Sequence, residues 1–226
     1  MAFAVVQSQA FTADDVSSHA PTLTSNPVAG NAIVALVTLR RDLNAGPNVS
    51  TVTGGGGSAW TELTAATNIG DSRTVEVWYS QNVAGGATTI TFTFDAASRY
   101  SHITLVEVSG MGSGTVDVVG ASLGETGNQS TFNHGQVTTA SGVESIIFTV
   151  FVTTGGFTIN TNIASHTTLQ TTTRSHTTYR IVASQTTTNP SLVINESLPG
   201  NACTAAMSLP ASSVVRRRGR LMMGVG

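Results

Sequence analysis

Residues 73–109 read RTVEVWYSQNVAGGATTITFTFDAASRYSHITLVEVS. Three strand signatures follow one another here with turn residues between them. Arg73 to Val83 alternates and stops at Gly85-Gly86. In Thr88 to Phe94 the apolar Ile90, Phe92 and Phe94 take every second place, with threonines between them. A period of two puts successive side chains on opposite faces of a strand, so this run has one buried face and one wet face. Ser101 to Ser109 repeats the pattern. Toward the N-terminus, Ala2 to Gln9, Ala32 to Arg40 (AIVALVTLR), Val49 to Thr53 and Trp60 to Thr67 read as strands. Ala32 to Arg40 is apolar enough to be a central one. Toward the C-terminus the series continues through Thr115 to Val119, Glu144 to Thr153, Phe157 to Asn160, Thr177 to Ala183, Leu192 to Asn195 and Ala205 to Leu209.

Apolar residues rarely recur at helical spacing. One helical turn is expected at Thr12 to Ser17, with Thr12 as N-cap and Asp14 and Asp15 in the first turn. Many short strands joined by turns imply a sandwich or barrel. The sequence therefore predicts an all-β fold, a jelly-roll-like antiparallel β-sandwich forming one domain over residues 1–211, followed by a C-terminal extended arm over 212–226. The threonine-dense Leu169 to Thr188, anchored by Tyr179, Ile181 and Val182, reads as an exposed strand pair.

Charged residues make up 10% of the 226 residues, against roughly 25% in typical soluble domains. Threonine, serine, asparagine and glycine take their place, which suits strand faces and tight turns. Lysine is absent. The net charge of −2 hides an asymmetry: Arg216, Arg217, Arg218 and Arg220 stand near the C-terminus, and the other six arginines face twelve acidic residues. An acidic body with a basic end suggests an interaction arm. Leu221, Met222, Met223 and Val225 add an apolar part to it, so the arm is expected to dock on protein. Four arginines on an acidic body make a small footprint for nucleic acid, which is not an expected partner. Cys203 is the sole cysteine; it forms no intramolecular disulfide and reads as a small core residue. The N-terminus has no basic n-region and no long apolar stretch, so no signal peptide is predicted. No apolar run approaches the roughly 20 residues of a membrane span.

STVTGGGGSAWT at 50–61, VEVWYSQNVAGGATTITFTF at 75–94, ITLVEVSGM at 103–111 and VDVVGAS at 116–122 together resemble a jelly-roll-like module of phage structural and fibre proteins and of some bacterial surface proteins. The resemblance covers roughly residues 28 to 153 and rests on framework features. It implies a β-sandwich building block of virions or surface appendages; from the lack of a signal peptide, synthesis is expected in the cytoplasm, a host's in the case of a virion.

Chemistry-bearing groups are sparse. Glu76 and Glu107 both stand mid-strand, as the carboxylate pair of a jelly-roll glycosidase would, but such a retaining pair needs a separation of ~5–5.5 Å. Glu76 is out of phase with Val75, Val77 and Tyr79 and is expected to face solvent. His19, His102, His134, His166 and His176 lack metal-ligand spacing and read as surface or edge histidines. Asp14-Asp15 and Asp42-Leu43-Asn44 lack the alternating oxygen ligands of a calcium loop. Gly54 to Gly57 has no following lysine or helix, so it reads as a flexible hairpin tip. Ser109 to Gly114 is no nucleophile elbow, and Asn48, Asn128 and Asn195 begin sequons by chance. No catalytic residue, metal or cofactor is expected.

Two readings follow. The first is a non-enzymatic virion structural protein: a capsid decoration, head-fibre or tail-associated component contacting itself and other virion proteins. The second is a carbohydrate- or receptor-binding module of a fibre or surface appendage. In that reading Trp60, Trp78, Tyr79 and Tyr100 are the ligand-stacking candidates for surface glycans. Trp78 and Tyr79 adjoin on one strand and must face opposite sides.

Overall fold

Two apolar runs organise the structure. Ala32–Arg40 and Ser145–Thr153 are buried almost end to end, so each must lie mid-sheet with both faces covered. The computed structural model describes residues 2–41, 47–57, 59–68, 73–111 and 117–208, with the backbone alone for 66–68 and 117–127. All regular structure among these residues is β. The first eight strands are β1 (Ala4–Ala13), β2 (Val16–His19), β3 (Ala32–Arg40), β4 (Val49–Gly54), β5 (Thr61–Asn68), β6 (Arg73–Ser80), β7 (Ile90–Ser98) and β8 (Tyr100–Ser109). The second eight are β9 (Asp117–Asn133), β10 (Val137–Thr138), β11 (Ser145–Thr153), β12 (Ile159–Thr161), β13 (Thr167–Thr171), β14 (Ser175–Val182), β15 (Thr187–Thr188) and β16 (Ser191–Ser208).

The first half forms a large sheet ordered β1-β8-β3-β6-β5 and a small one ordered β2-β7-β4. The 1-8-3-6 and 2-7-4 orders are those of a jelly roll, with β5 carried beside β6 rather than onto the small sheet. The second half repeats the large sheet strand for strand, as β9-β16-β11-β14-β13. Its long strands β9 and β16 run through both layers. Ser191 to Val193 pair with Thr131 to Asn133, and β12 joins there. In the first half the same paths are broken at corners, between β1 and β2 and between β7 and β8. Asp15, with φ of 55°, turns the first corner; short polar residues tolerate that left-handed conformation.

The two large sheets pack face to face. Their contact is a shared central core in which Val34, Leu36, Val75, Val77, Val106 and Val108 meet Ile146, Phe148, Val150, Cys203, Ala205 and Met207. At one margin β1 lies against β13, and at the other β5 lies against β9. The halves are thus related by an approximate two-fold axis running between β3 and β11. The opposite faces of the large sheets have their own cores: Ile33, Val37, Ile90, Phe92 and Ile103 in the first half, and Phe132, Phe151, Leu192 and Ile194 in the second.

This layering overturns four local expectations. Thr12 to Ser17 holds no helical turn, because the corner at Asp15 joins two strands. Leu169 to Thr188 is not an exposed pair: Ser175 to Thr178 are buried, since β14 lies inside the large sheet with a layer on each side. Glu76 is out of phase with its valine neighbours as expected, yet it is buried, because its face of the sheet is covered too. Gly54 to Gly57 is not a flexible tip. Gly54, Gly55 and Gly56 all have positive φ, and a Cβ on Gly54 would stand 2.4 Å from the Thr89 carbonyl oxygen. Glycine is required there by backbone conformation and by close approach.

Candidate functional site

Glu76 and Glu107 lie on the same face of the first large sheet, opposite Val37 and Ile33 of β3. Four residues along β3 and two strand spacings separate them, or roughly 16 Å. That is far too wide for a retaining carboxylate pair. Each is instead tied to its own donors. Glu107 accepts from Asn31 Nδ2 at 2.6 Å, Gln7 Nε2 at 2.7 Å and the Val28 amide at 2.8 Å, fastening the approach to β3. Glu76 accepts from Trp78 Nε1 at 2.6 Å and the Val49 amide at 3.0 Å. Burial still outweighs those donors and pushes its carboxyl up to about 7; desolvation disfavours the charged form.

Three of the histidines are not surface or edge groups: His102, His134 and His176 are fully buried, while His166 and His19, the latter on the edge strand β2, stay part-exposed. His102 Nδ1 meets Ser175 Oγ at 2.8 Å across the central seam. His134 donates from Nδ1 to the Pro190 carbonyl at 3.1 Å. His176 donates from Nε2 to Asn162 Oδ1 at 3.0 Å and accepts from Thr171 Oγ1 at 2.8 Å. His166 Nδ1 pairs with Thr178 Oγ1 at 2.8 Å. Burial pulls His102, His166 and His176 down to about 4 and His134 to about 3, so all four are neutral at pH 7. Among the described residues no group of three or more His, Cys, Asp or Glu could hold a metal ion. Cys203 is buried in the central core, and burial raises its thiol well above the ordinary value.

The four aromatic candidates do not assemble into one platform. Trp60 packs edge-on to Phe92, with ring centroids 6.2 Å apart, and donates to the Gly54 carbonyl. Trp78 also packs against the outer core of the first half. Tyr79 points the other way, toward the central core, and lines a small hollow of about 170 Å³ with Ala59, Thr61 and Gln81. Tyr100 is buried at the seam. Its hydroxyl meets Thr172 Oγ1 at 2.9 Å, and the Arg174 guanidinium stands 5.8 Å from its ring centroid.

Tyr100 and His102 belong to a set of polar bonds that stitch the two halves around their apolar centre. Thr104 and Thr177 share a hydroxyl bond of 3.2 Å. Asn201 Nδ2 donates to the Arg73 carbonyl at 2.9 Å, and the buried Arg73 guanidinium donates to the Pro199 carbonyl. At the margin the Phe3 amide donates to Glu144. Sequence reading missed this stitching because all of its bonds join residues at least 72 positions apart.

An opening wider than the hollow at Tyr79 lies on the far side of the second half. It is a cleft of about 430 Å³ lined by Thr161 to Ser165, Arg180, Thr188 to Ser191 and Val193. Arg180 was the available signal, as a lone charge within the strand SHTTYRIV. Asp42 to Asn44 and the arm residues Arg216, Arg217, Arg218, Arg220, Leu221, Met222 and Met223 lie outside the described residues. No protein-family model matches the sequence, and no curated protein aligns with it significantly.

Proposed function

We propose that the chain is a non-enzymatic structural component of a phage-like virion, a capsid decoration, head-fibre or tail-associated part acting through subunit–subunit contacts. The observation that carries this reading is the use made of its reactive groups. Glu76, Glu107, His102 and His176 are buried and hold loops and sheets together through hydrogen bonds. A framework that spends its titratable groups this way is suited to bear load and contact neighbours. The low charge supports the same reading, since charge is costly to desolvate at extensive contacts. The basic-apolar arm over 212–226 would join subunits to one another or to a shell. Light scattering of the full chain and of a version ending at Ser213 tests this. A defined oligomer that falls to folded monomers on truncation supports it; identical monomers would remove self-assembly through the arm. One observation favours a second reading, a receptor- or glycan-binding module: the polar cleft of the second half.

A further inference from the structure

The two halves share a strand order but differ in what fills their outer layers. Trp78 is the sixth residue of β6, and Arg180 the sixth of β14, the strand in the matching place. Both pair with outer-core residues of the central strand, Ala35 and Ile147. In the first half Trp78 and Trp60, from the β4–β5 connection, fill the layer. In the second half Arg180 and Ile163, from the β12–β13 connection, stand around the open cleft. Two indoles are thus exchanged for a guanidinium and a smaller apolar side chain, and a cavity of about 430 Å³ results.

Its lining has a definite chemistry. The Arg180 guanidinium makes no hydrogen bond or ion pair with any described residue; the neutral His166 is its electrostatic neighbour, and no described acidic residue lines the cleft. The hydroxyls of Thr161, Ser165, Thr188 and Ser191 and the amide of Asn189 likewise make no internal side-chain bond. Ser165 holds a left-handed backbone, with φ of 62°; strain of this kind persists only where surrounding structure enforces it. Ile163, Pro190 and Val193 supply an apolar side. A planar guanidinium suits a carboxylate, which it binds in bidentate fashion. Hydroxyls and an amide that both donate and accept suit a polyol, and the apolar side suits the C–H face of a ring. The volume falls in the range of small-molecule sites and is more than a bare inorganic anion needs.

We propose that this cleft binds an acidic saccharide, with the Arg180 guanidinium on the sugar carboxylate and the ring against Ile163, Pro190 and Val193. The proposal deepens the receptor-binding reading and is independent of the assembly role, so its failure leaves the oligomer result standing.

The test is amide-resolved NMR titration of the full chain with sodium glucuronate, glucose and sodium acetate. Glucuronate should saturably shift the amides of 161–165, Thr188, Asn189 and Ser191, with a Kd on the order of millimolar, as expected for one sugar ring. Glucose and acetate should each bind at least tenfold more weakly, one lacking the carboxylate and the other the ring. Arg180→Gln should remove the advantage of glucuronate over glucose. Asn189→Trp, which fills the mouth from an exposed turn, should abolish binding even if the first variant folds poorly. Absence of saturable shifts at these amides would overturn the proposal. So would acetate matching glucuronate, or a folded Arg180→Gln that still prefers glucuronate to glucose.

Discussion

Lowering the pH from 7.5 to 5 should destabilise this fold, and the size of the loss follows from two opposed sets of buried groups. His102, His134 and His176 are fully buried and neutral, with pKa values of about 4, 3 and 4 against 6.5 in an exposed chain. The unfolded chain therefore takes up protons that the fold refuses. The stability these groups contribute is whole above pH 6.5 and is lost as the pH falls toward their folded values. At pH 5 each costs about 2 kcal/mol, and the three together about 6 kcal/mol; His166, also lowered but part-exposed, adds a smaller, solvent-screened share in the same direction. Glu76 acts in the other sense. Its folded pKa of about 7 lies above the ordinary 4.5, so its contribution is whole below pH 4.5 and lost as the pH rises through 7. At pH 5 it returns about 2–3 kcal/mol relative to pH 7.5. The histidines win, and the net loss is about 3–4 kcal/mol, a large share of the 5–15 kcal/mol typical of whole domains. In urea unfolding followed by tryptophan fluorescence, the midpoint should fall by about 1–2 M between pH 7.5 and 5. Glu76→Gln removes the opposing group and should steepen that fall toward the full histidine cost. Equal midpoints at the two pH values, or histidine resonances titrating near 6.5, would refute the reasoning.

Three further outcomes are expected. Glu107→Ala strips three donors of their acceptor beneath a buried loop and should cost about 3 kcal/mol or more in the same urea assay. Gly200→Ala would place a Cβ 2.5 Å from Phe132 and 2.8 Å from Phe151, ring atoms packed against each other at 4.5 Å between centroids; it should cost about 1–3 kcal/mol by overpacking. Cys203 is enclosed in the central core with its thiol raised by burial, so a thiol reagent should label it only at the rate of global unfolding, and at once in denaturant.

The fold class was legible because period-two patterning reports a half-buried strand directly, and Ile90, Phe92 and Phe94 do line one buried face. The central strands were legible for the same reason in reverse: AIVALVTLR has no wet face to alternate with. The repetition of strand order was hidden. It resides in which strands pair, and the chemical likeness between RTVEVWYS and SHTTYRIV is slight. Glu76 and the three buried histidines were misplaced by one shared assumption, that a polar residue out of phase with the valines faces water. In a pair of back-to-back sandwiches the large sheets have no wet face, so polar residues there must find partners within the protein. The cleft was invisible because it arises from a difference between halves that the sequence alone does not align.

The seam between the large sheets also sets how this protein can change over generations. A substitution at Val34, Leu36, Ile146 or Phe148 is felt by both halves at once, and its tolerance depends on what stands across the axis; such sites should show strong pairwise coupling. The outer layers answer only to their own half. One copy of the plan can therefore be held fixed as a packed support while the other is free to be carved, without either losing its partner.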